Sequence, residues 1–278
     1  MNPAALTPER SFAGRCAAGV RCFAALQSTN IKERLSHPWD IWLEMFLFLL
    51  QQLSGLGFLY IVFARLHALG GWGLPEIVFL YAMTLHSMAL YRLFFQGVRD
   101  TGFLILSGSF DLLLTKPRSP ILLLFCRRSN LNGLSDFIAA LALQILTAHQ
   151  MQFDWTFARI LQWAAFIVCG NALMVSIMLT QAACCFWLVR FTALHDLVMA
   201  LREFTYYPLS IYGWPLRVLL YTLVPLGFAT YVPAGVLLGR PEFSGVWLLA
   251  PFLAAGAALL LSVAVFHLGL RFYRSTGS

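Results

Sequence analysis

The sequence predicts an all-α integral membrane protein with six transmembrane helices in a single domain covering residues 1–278. Of the 278 residues, 60% are hydrophobic and only 11% are charged, whereas about 25% are charged in soluble domains. Several apolar stretches also approach the roughly 20 residues that a helix needs to cross a bilayer. Together these observations exclude a soluble globular enzyme, a disordered chain and a nucleic-acid-binding domain, so no nucleic-acid partner is expected.

The segment before the first span, residues 1–38, predicts a helix lying in the inner membrane interface. Apolar side chains recur on one helical face, whereas Arg10 and Arg21 fall on the opposite face, as in interfacial helices. The apolar face consists of Phe12, Cys16, Val20, Phe23 and Leu26. We expect His37-Pro38 to end this helix, because the residue before a proline is disfavoured in the helical conformation.

Five apolar runs meet or approach the length of a membrane span, and a sixth run contains helix-disrupting residues. The five runs are Ile41–Ala64, Ile77–Phe95, Leu131–Ala148, Phe157–Val189 and Val246–Leu270. The sixth run, Leu216–Leu238, is long enough to cross but contains Pro225, Gly227 and Pro233. An even number of spans places both termini on the same side of the membrane.

The distribution of basic residues predicts that this side is the cytoplasm. With both termini inside, the inner segments hold fourteen Lys and Arg residues and the outer segments hold three, a strong positive-inside bias. The inner residues are Arg10, Arg15, Arg21, Lys32, Arg34, Arg92, Arg99, Lys116, Arg118, Arg127, Arg128, Arg190, Arg271 and Arg274. The outer residues are Arg65, Arg159 and Arg240, and the sides of Arg202 and Arg217 stay open.

A long inner loop, residues 96–130, separates the second and third predicted spans. Within it, Thr101–Leu114 predicts one short helix along the membrane surface, which Pro117 and Pro120 would end. The loop is rich in both charged and apolar residues, whereas the outer loops are short. Such a loop is typical of a docking surface for another protein.

The chain carries no recognisable catalytic constellation, so we do not expect it to be an enzyme. A P-loop needs Gly-Lys-Ser/Thr to hold nucleotide phosphates, but Ile31 precedes Lys32 and Thr115 precedes Lys116. No histidine pair has the spacing of a helical zinc site, so no metal is predicted. Asp196, Arg202 and Glu203 are more typical of a salt-bridged helix than of an acid–base pair.

Polar residues within the predicted spans suggest two alternative roles. Gln51, Gln52 and His86 lie deep in their spans, where they can form hydrogen bonds between helices or line a substrate pathway. Charged residues near the span ends are expected to reach the lipid headgroups. They are Glu44, Arg92, Asp136 and Arg159.

Three motifs occur in order along the chain. The inner loop carries Gly-x-x-Asp-x-x-Leu-x-x-Pro from Gly108 to Pro117, and Tyr-Pro-Leu-Ser-Ile-Tyr runs from Tyr207 to Tyr212. The third motif is the C-terminal stretch from Gly269 to Gly277. In these motifs, and from the first span to its end, the chain resembles permease subunits of bacterial ABC transporters of the type-2 exporter class.

This resemblance implies a permease of the bacterial inner membrane that forms the substrate pathway with a second permease chain, identical or different. Two separate ATPase subunits would bind ATP and Mg and drive transport, and the permease itself would carry no cofactor. The inner loop would contain the coupling helix. Asp111 would stabilise the end of that helix or meet a basic group on the ATPase. The implied docking residues are Gly108, Phe110, Asp111, Leu114, Lys116, Pro117 and Arg118.

The resemblance also implies a re-entrant segment near the outer face before the last span. In that arrangement Phe191–Pro208 is the fifth span, whereas hydropathy favours Leu216–Leu238. The implied outer-gate residues are Tyr207, Pro208, Tyr212, Trp214, Pro225, Gly227 and Pro233. Two other functions stay open on sequence grounds: an ion-coupled secondary transporter, which calls for midplane charges and repeats, and a membrane-embedded enzyme.

Overall fold

The computed structural model describes residues 12–36, 38–188 and 191–273. Every regular element in these residues is helical, which confirms the all-α fold. The N-terminal half contains α1 Phe12–Leu35, α2 Pro38–Arg65, α3 Leu74–Leu90, α4 Thr101–Leu106, α5 Phe110–Leu114, α6 Pro120–Phe125 and α7 Asn132–Gln150. The C-terminal half contains α8 Phe157–Cys184, α9 Phe191–Glu203, α10 Trp214–Tyr221, α11 Leu226–Ala229, α12 Tyr231–Leu237 and α13 Ala250–Phe272.

Helix α1 ends at Leu35, before Pro38 opens α2, as the sequence predicts. Its Phe23 ring packs 5.8 Å from the ring of Phe95. Its Gln27 Nε2 donates a 2.6 Å hydrogen bond to the carbonyl of Phe94. On the predicted apolar face, Val20 is 68% exposed and Leu26 is 38% exposed. The side chains of Phe12 and Cys16, together with Arg10 and His37, lie outside the described residues.

Four helical stretches in the described residues are long and apolar enough to cross a membrane: Pro38–Arg65, Leu74–Leu106, Phe157–Cys184 and Ala250–Phe272. A bent pair formed by Trp214–Tyr221 and Leu226–Leu237 raises the number to five if the pair is one span. The remaining predicted span corresponds to α7. Its 19 residues reach about 28 Å at 1.5 Å per residue, but Asp136, Gln144 and His149 lower its hydropathy.

The inner loop differs from the prediction in two ways. The helix of the second span does not end at Phe95, because a π-turn at Tyr91–Phe95 and a 3-10 turn at Gln96–Asp100 lead directly into α4. The predicted single helix over Thr101–Leu114 is two helices, α4 and α5. Gly108 separates them with φ of +69°, a left-handed conformation that glycine adopts without steric penalty and that commonly ends helices.

The bent pair α10–α12 has the shape of a re-entrant segment. At its start, Ile211 packs so closely on Gly70 that a Cβ there would lie 2.7 Å from the Ile211 side chain. After its end, Arg240 donates a 2.7 Å hydrogen bond to the carbonyl of Gly71. Between these points, the carbonyl of Ala229 reaches Gly170 in the middle of α8. The segment therefore enters the bundle and returns to the α2–α3 turn where it began.

Before this segment, the chain passes through the bundle from the end of α8 to the α2–α3 turn. At the start of α9, His195 lies 3.4 Å from Gln181 near the end of α8. Past its end, the carbonyl of Thr205 accepts a 3.0 Å hydrogen bond from Thr84 in the middle of α3. The chain then reaches Gly70 through Ile211. This course favours the arrangement in which residues 191–208, and not Leu216–Leu238, form the fifth passage.

Close packing of α3 on α7 depends on a glycine. A Cβ on Gly133 would lie 2.4 Å from the carbonyl oxygen of Ala89 and 2.7 Å from the amide nitrogen of Leu93. Since both neighbours are backbone atoms, no side-chain rotation can relieve the clash. The two helices approach closely only because position 133 has no side chain.

We therefore expect Gly133→Ala to destabilise the protein by about 1–3 kcal/mol through overpacking. The matched control is Gly57→Ala on α2, where a Cβ would meet no atom within 4 Å. Because alanine favours helix over glycine by about 1 kcal/mol, this control should be neutral or slightly stabilising. Thermal unfolding in detergent compares the two variants, and equal melting temperatures would contradict the close-packing argument.

Candidate functional site

A buried polar network joins α2, α3 and α7. Gln52 of α2 accepts a short hydrogen bond from the hydroxyl of Tyr81 on α3. Its Nε2 donates a 3.3 Å hydrogen bond to Oδ1 of Asp136 on α7. Gln52 is 8% exposed and Asp136 is 1% exposed. The side chain of Gln52 therefore uses both its acceptor and its donor to connect three helices.

An ion pair completes the network. Arg92 Nη1 lies 3.0 Å from the second carboxylate oxygen of Asp136, and its Cζ lies 5.1 Å from the ring centroid of Phe48. Asp136 does not reach the headgroups as expected, because its side chain is 1% exposed and pairs with Arg92, which is 23% exposed. Each residue supplies the opposite charge that the other needs when it is removed from water.

The network borders a cavity of about 380 Å³ beside α2. Its polar wall includes Gln51, Gln52, Arg92, Asp136 and Arg202, and Tyr206 and Tyr207 also line it. Arg202 is 8% exposed and donates a 2.8 Å hydrogen bond to the hydroxyl of Tyr206. The expected salt bridges of Arg202 with Asp196 or Glu203 are absent from the ion pairs of the described residues.

His86 belongs to a different cluster. It is fully buried and its Nε2 lies 2.9 Å from Oε1 of Gln144, which also accepts a 2.8 Å hydrogen bond from Trp163. The His86 ring meets Phe137 edge-on at 4.9 Å. Of the three candidate pathway residues, Gln51 and Gln52 line the cavity, whereas His86 forms hydrogen bonds between helices.

The predicted docking loop is anchored at one end of the bundle by aromatic packing. Phe110 is fully buried and packs 5.4 Å from Phe186 and 5.1 Å from Tyr273. The hydroxyl of Tyr273 donates a 2.9 Å hydrogen bond to Asp111. Burial and this hydrogen bond raise the pKa of Tyr273 to about 12. Arg274 and the rest of the third motif lie outside the described residues.

Other residues of this loop face outward. Large apolar side chains are exposed on α4 and α5: Phe103 by 63%, Leu106 by 57%, Leu112 by 66% and Leu114 by 43%. Lys116, Pro117 and Arg118 follow them and are also exposed. We call Phe103, Leu106, Leu112 and Leu114 the inner apolar patch. These four exposed apolar side chains lie within twelve residues of the chain and precede two cations, a composition typical of an interaction surface.

The predicted outer-gate residues fall into two groups. Pro208, Gly227 and Pro233 are buried, and a Cβ on Gly227 would lie 2.8 Å from the Tyr221 ring. Tyr207, Tyr212 and Pro225 are partly buried, whereas Trp214 is 74% exposed. Sequence reasoning missed Arg240, which forms a 2.7 Å ion pair with Glu76 and lies over the Trp72 ring, fixing the return of the segment. The available signal was that Arg240 is one of only three basic residues assigned to the outer segments.

The long apolar helices define a multi-pass membrane protein, and a polar cavity lies beside one of them. A family model described as ABC-2 family transporter protein matches residues 49–277. Because the match covers most of the chain, the chain belongs to this family and is the permease component of an ABC transporter, which associates with ABC ATPase subunits. Comparisons with curated proteins and with solved structures find no match. In residues 12–36, 38–188 and 191–273, no group of three or more His, Cys, Asp or Glu could hold a metal ion.

The Arg92–Asp136 pair generates a quantitative prediction. Asp136→Asn and Arg92→Gln should each destabilise the permease, because each leaves a charge inside without its partner. The double variant should lose less free energy of unfolding than the two single variants lose together, with a coupling energy of about 0.5–3 kcal/mol. Unfolding free energies in detergent measure this cycle.

The control cycle uses Arg34 and Glu44, whose side chains are 29% and 40% exposed. Partly exposed pairs contribute about 0–1 kcal/mol, so this cycle should give the smaller coupling energy. Equal coupling energies for the two pairs would contradict the claim that burial strengthens the Arg92–Asp136 pair.

Proposed function

We propose that the chain forms half of the substrate pathway of an ATP-driven exporter in the bacterial inner membrane. The other half comes from a second permease chain, the same or different, and two ATPase subunits bind ATP and Mg. Export as the direction rests on the resemblance of the three motifs. The observation that carries the proposal is the inner apolar patch, a surface suited to the ATPase that the family membership requires.

The orientation follows from charge. The positive-inside bias of fourteen basic residues against three supports cytoplasmic termini. Among the described residues, Lys116, Arg118, Arg127 and Arg128 lie in or after the short helices of the inner loop. With this end of the bundle in the cytoplasm, the loop meets the compartment where ATP is available. The re-entrant segment α10–α12 then lies at the outer face.

The inner loop has the contacts needed to transmit movement of an ATPase. Its exposed face offers the inner apolar patch to the partner, while its buried face contacts two long helices. Phe110 packs on Phe186, which follows α8, and Asp111 accepts a hydrogen bond from Tyr273 at the end of α13. We propose that Gly108, Phe110 and Asp111 maintain the shape of this loop, while Leu114, Lys116, Pro117 and Arg118 contact the ATPase or the headgroups.

The pathway is proposed to run beside α2. Only Phe48, Gln52 and Leu59 of this helix are buried, and the polar cavity opens next to its exposed face. A polar cavity facing lipid would leave its hydrogen-bonding groups without partners, which a bilayer disfavours. A second permease chain that covers this side would enclose the cavity and complete the pathway.

The docking role of the inner apolar patch is tested by Leu112→Glu. The side chain is 66% exposed, so the change should leave folding intact, whereas a charge facing an apolar partner surface should reduce ATPase recovery at least tenfold. Co-purification from membranes measures the ratio of ATPase to permease.

The control is Val246→Glu, at an 80% exposed position before α13, away from the inner loop. This variant should retain the ATPase at the wild-type ratio. Unchanged co-purification with Leu112→Glu would overturn the docking role of the patch.

A further inference from the structure

The charges around the cavity beside α2 are only partly paired: two guanidinium groups and two carboxylates line it, and one ion pair joins them. Two guanidinium groups, those of Arg92 and Arg202, line its wall together with one buried carboxylate, that of Asp136. Arg92 lies 3.0 Å from Asp136 and neutralises it. The other carboxylate on the lining, that of Glu203, is exposed and forms no ion pair with Arg202 among the described residues. Arg202 is therefore a buried cation that forms no ion pair among the described residues.

The hydrogen bonds of Arg202 are also incomplete. Its Nη2 donates to Tyr206, and its Cζ lies 5.3 Å from the Tyr206 ring. Its Nε is buried and has no hydrogen-bond partner. A guanidinium presents five donors in a planar fork that suits carboxylate or phosphate oxygens. A guanidinium that is 8% exposed and forms no ion pair is unfavourable unless acceptors in the cavity, from water or from an anionic ligand, meet its remaining N–H groups.

The surroundings of the cavity indicate what carries the anion. Phe48, Phe58 and Leu85 line it beside the polar residues. Of these lining residues, Phe58 on α2 is 57% exposed, so the apolar wall continues to the surface of the helix. A ligand with an anionic group and a hydrocarbon chain can satisfy both surfaces at once. A small inorganic anion would leave the apolar wall uncovered.

We propose that this cavity binds the anionic headgroup of an amphiphile, with Arg202 as the principal contact and Tyr206 positioning its guanidinium. The headgroup is a phosphate, sulfate or carboxylate, and the chain lies along the exposed face of α2. The inference rests on the proposed transport function, since it names a substrate class for the same pathway. The same chemistry can come from an exported molecule or from an anionic phospholipid.

The test uses the full-length permease purified in dodecyl maltoside, titrated with dodecyl phosphate or dodecyltrimethylammonium below their micellar concentrations. Wild-type protein should bind the phosphate at least tenfold more tightly than the ammonium compound. Arg202→Gln keeps a donor near Tyr206 but removes the charge, and should abolish this preference. The control Arg65→Gln removes an exposed arginine at the end of α2 and should retain it.

A second measurement distinguishes the two sources. Retention of phosphatidylglycerol by wild-type protein but not by Arg202→Gln, measured by mass spectrometry, identifies a bilayer lipid. Binding of dodecyl phosphate without retained phospholipid identifies a transported molecule. Either result supports the anion site.

Two results would overturn the inference. One is equal binding of the two amphiphiles by the wild type. The other is loss of the permease dimer in Arg202→Gln with the binding preference unchanged, which would assign Arg202 to the contact between permeases. ATPase co-purification with Arg202→Gln is measured in parallel. If the permease retains the ATPase but the wild type shows no preference for the anionic amphiphile, the exporter proposal stands and only the substrate class fails.

Discussion

The arrangement depends on one constraint: a polar group inside a bilayer must find its partner within the protein. Asp136 meets this constraint through Gln52 and Arg92, and Gln52 in turn meets it through Tyr81. These bonds hold α2 to α3 and α7. Since only Phe48, Gln52 and Leu59 of α2 are buried, apolar packing adds little to its attachment. The exposed remainder of α2 stays available to lipid or to a second permease, and the cavity lies where α2 meets α9.

Much of this fold follows from hydropathy and charge. Four of the predicted spans correspond to membrane-length helices, because apolar length is a local property of the sequence. Pro225 and Pro233 predict the break in the re-entrant segment for the same reason. Hydropathy alone does not reveal that His195 and Arg202 of α9 meet the partners Gln181 and Tyr206. Which side of a helix packs against the protein depends on tertiary structure, and a hydropathy average over neighbouring residues does not include it.

The candidate site was less predictable than the fold. Arg92 and Asp136 are 44 positions apart, and each alone looks like a residue near a span end. Arg202 was recognisable as charged, but its burial and its missing partner appear only once α9 is packed. The inner loop was predicted in outline from its motif, whereas Gly108 divides its helix and Tyr273 supplies the partner of Asp111. The spacing of residues locates such a motif in the sequence, but the contacts of its residues depend on the folded structure.

The central claim is that polar bonds of Gln52 fix the position of α2. Leu50 on α2 and Leu146 on α7 are 54% and 60% exposed and can carry spin labels in a cysteine-free background. Double electron–electron resonance between these labels measures the distance between the two helices. Gln52→Leu preserves the approximate size of the side chain but removes both hydrogen bonds. We predict one narrow distance distribution in the parent protein and a clearly broader one with Gln52→Leu. Distributions of equal width and position would contradict the claim, because other contacts would then hold α2 in place.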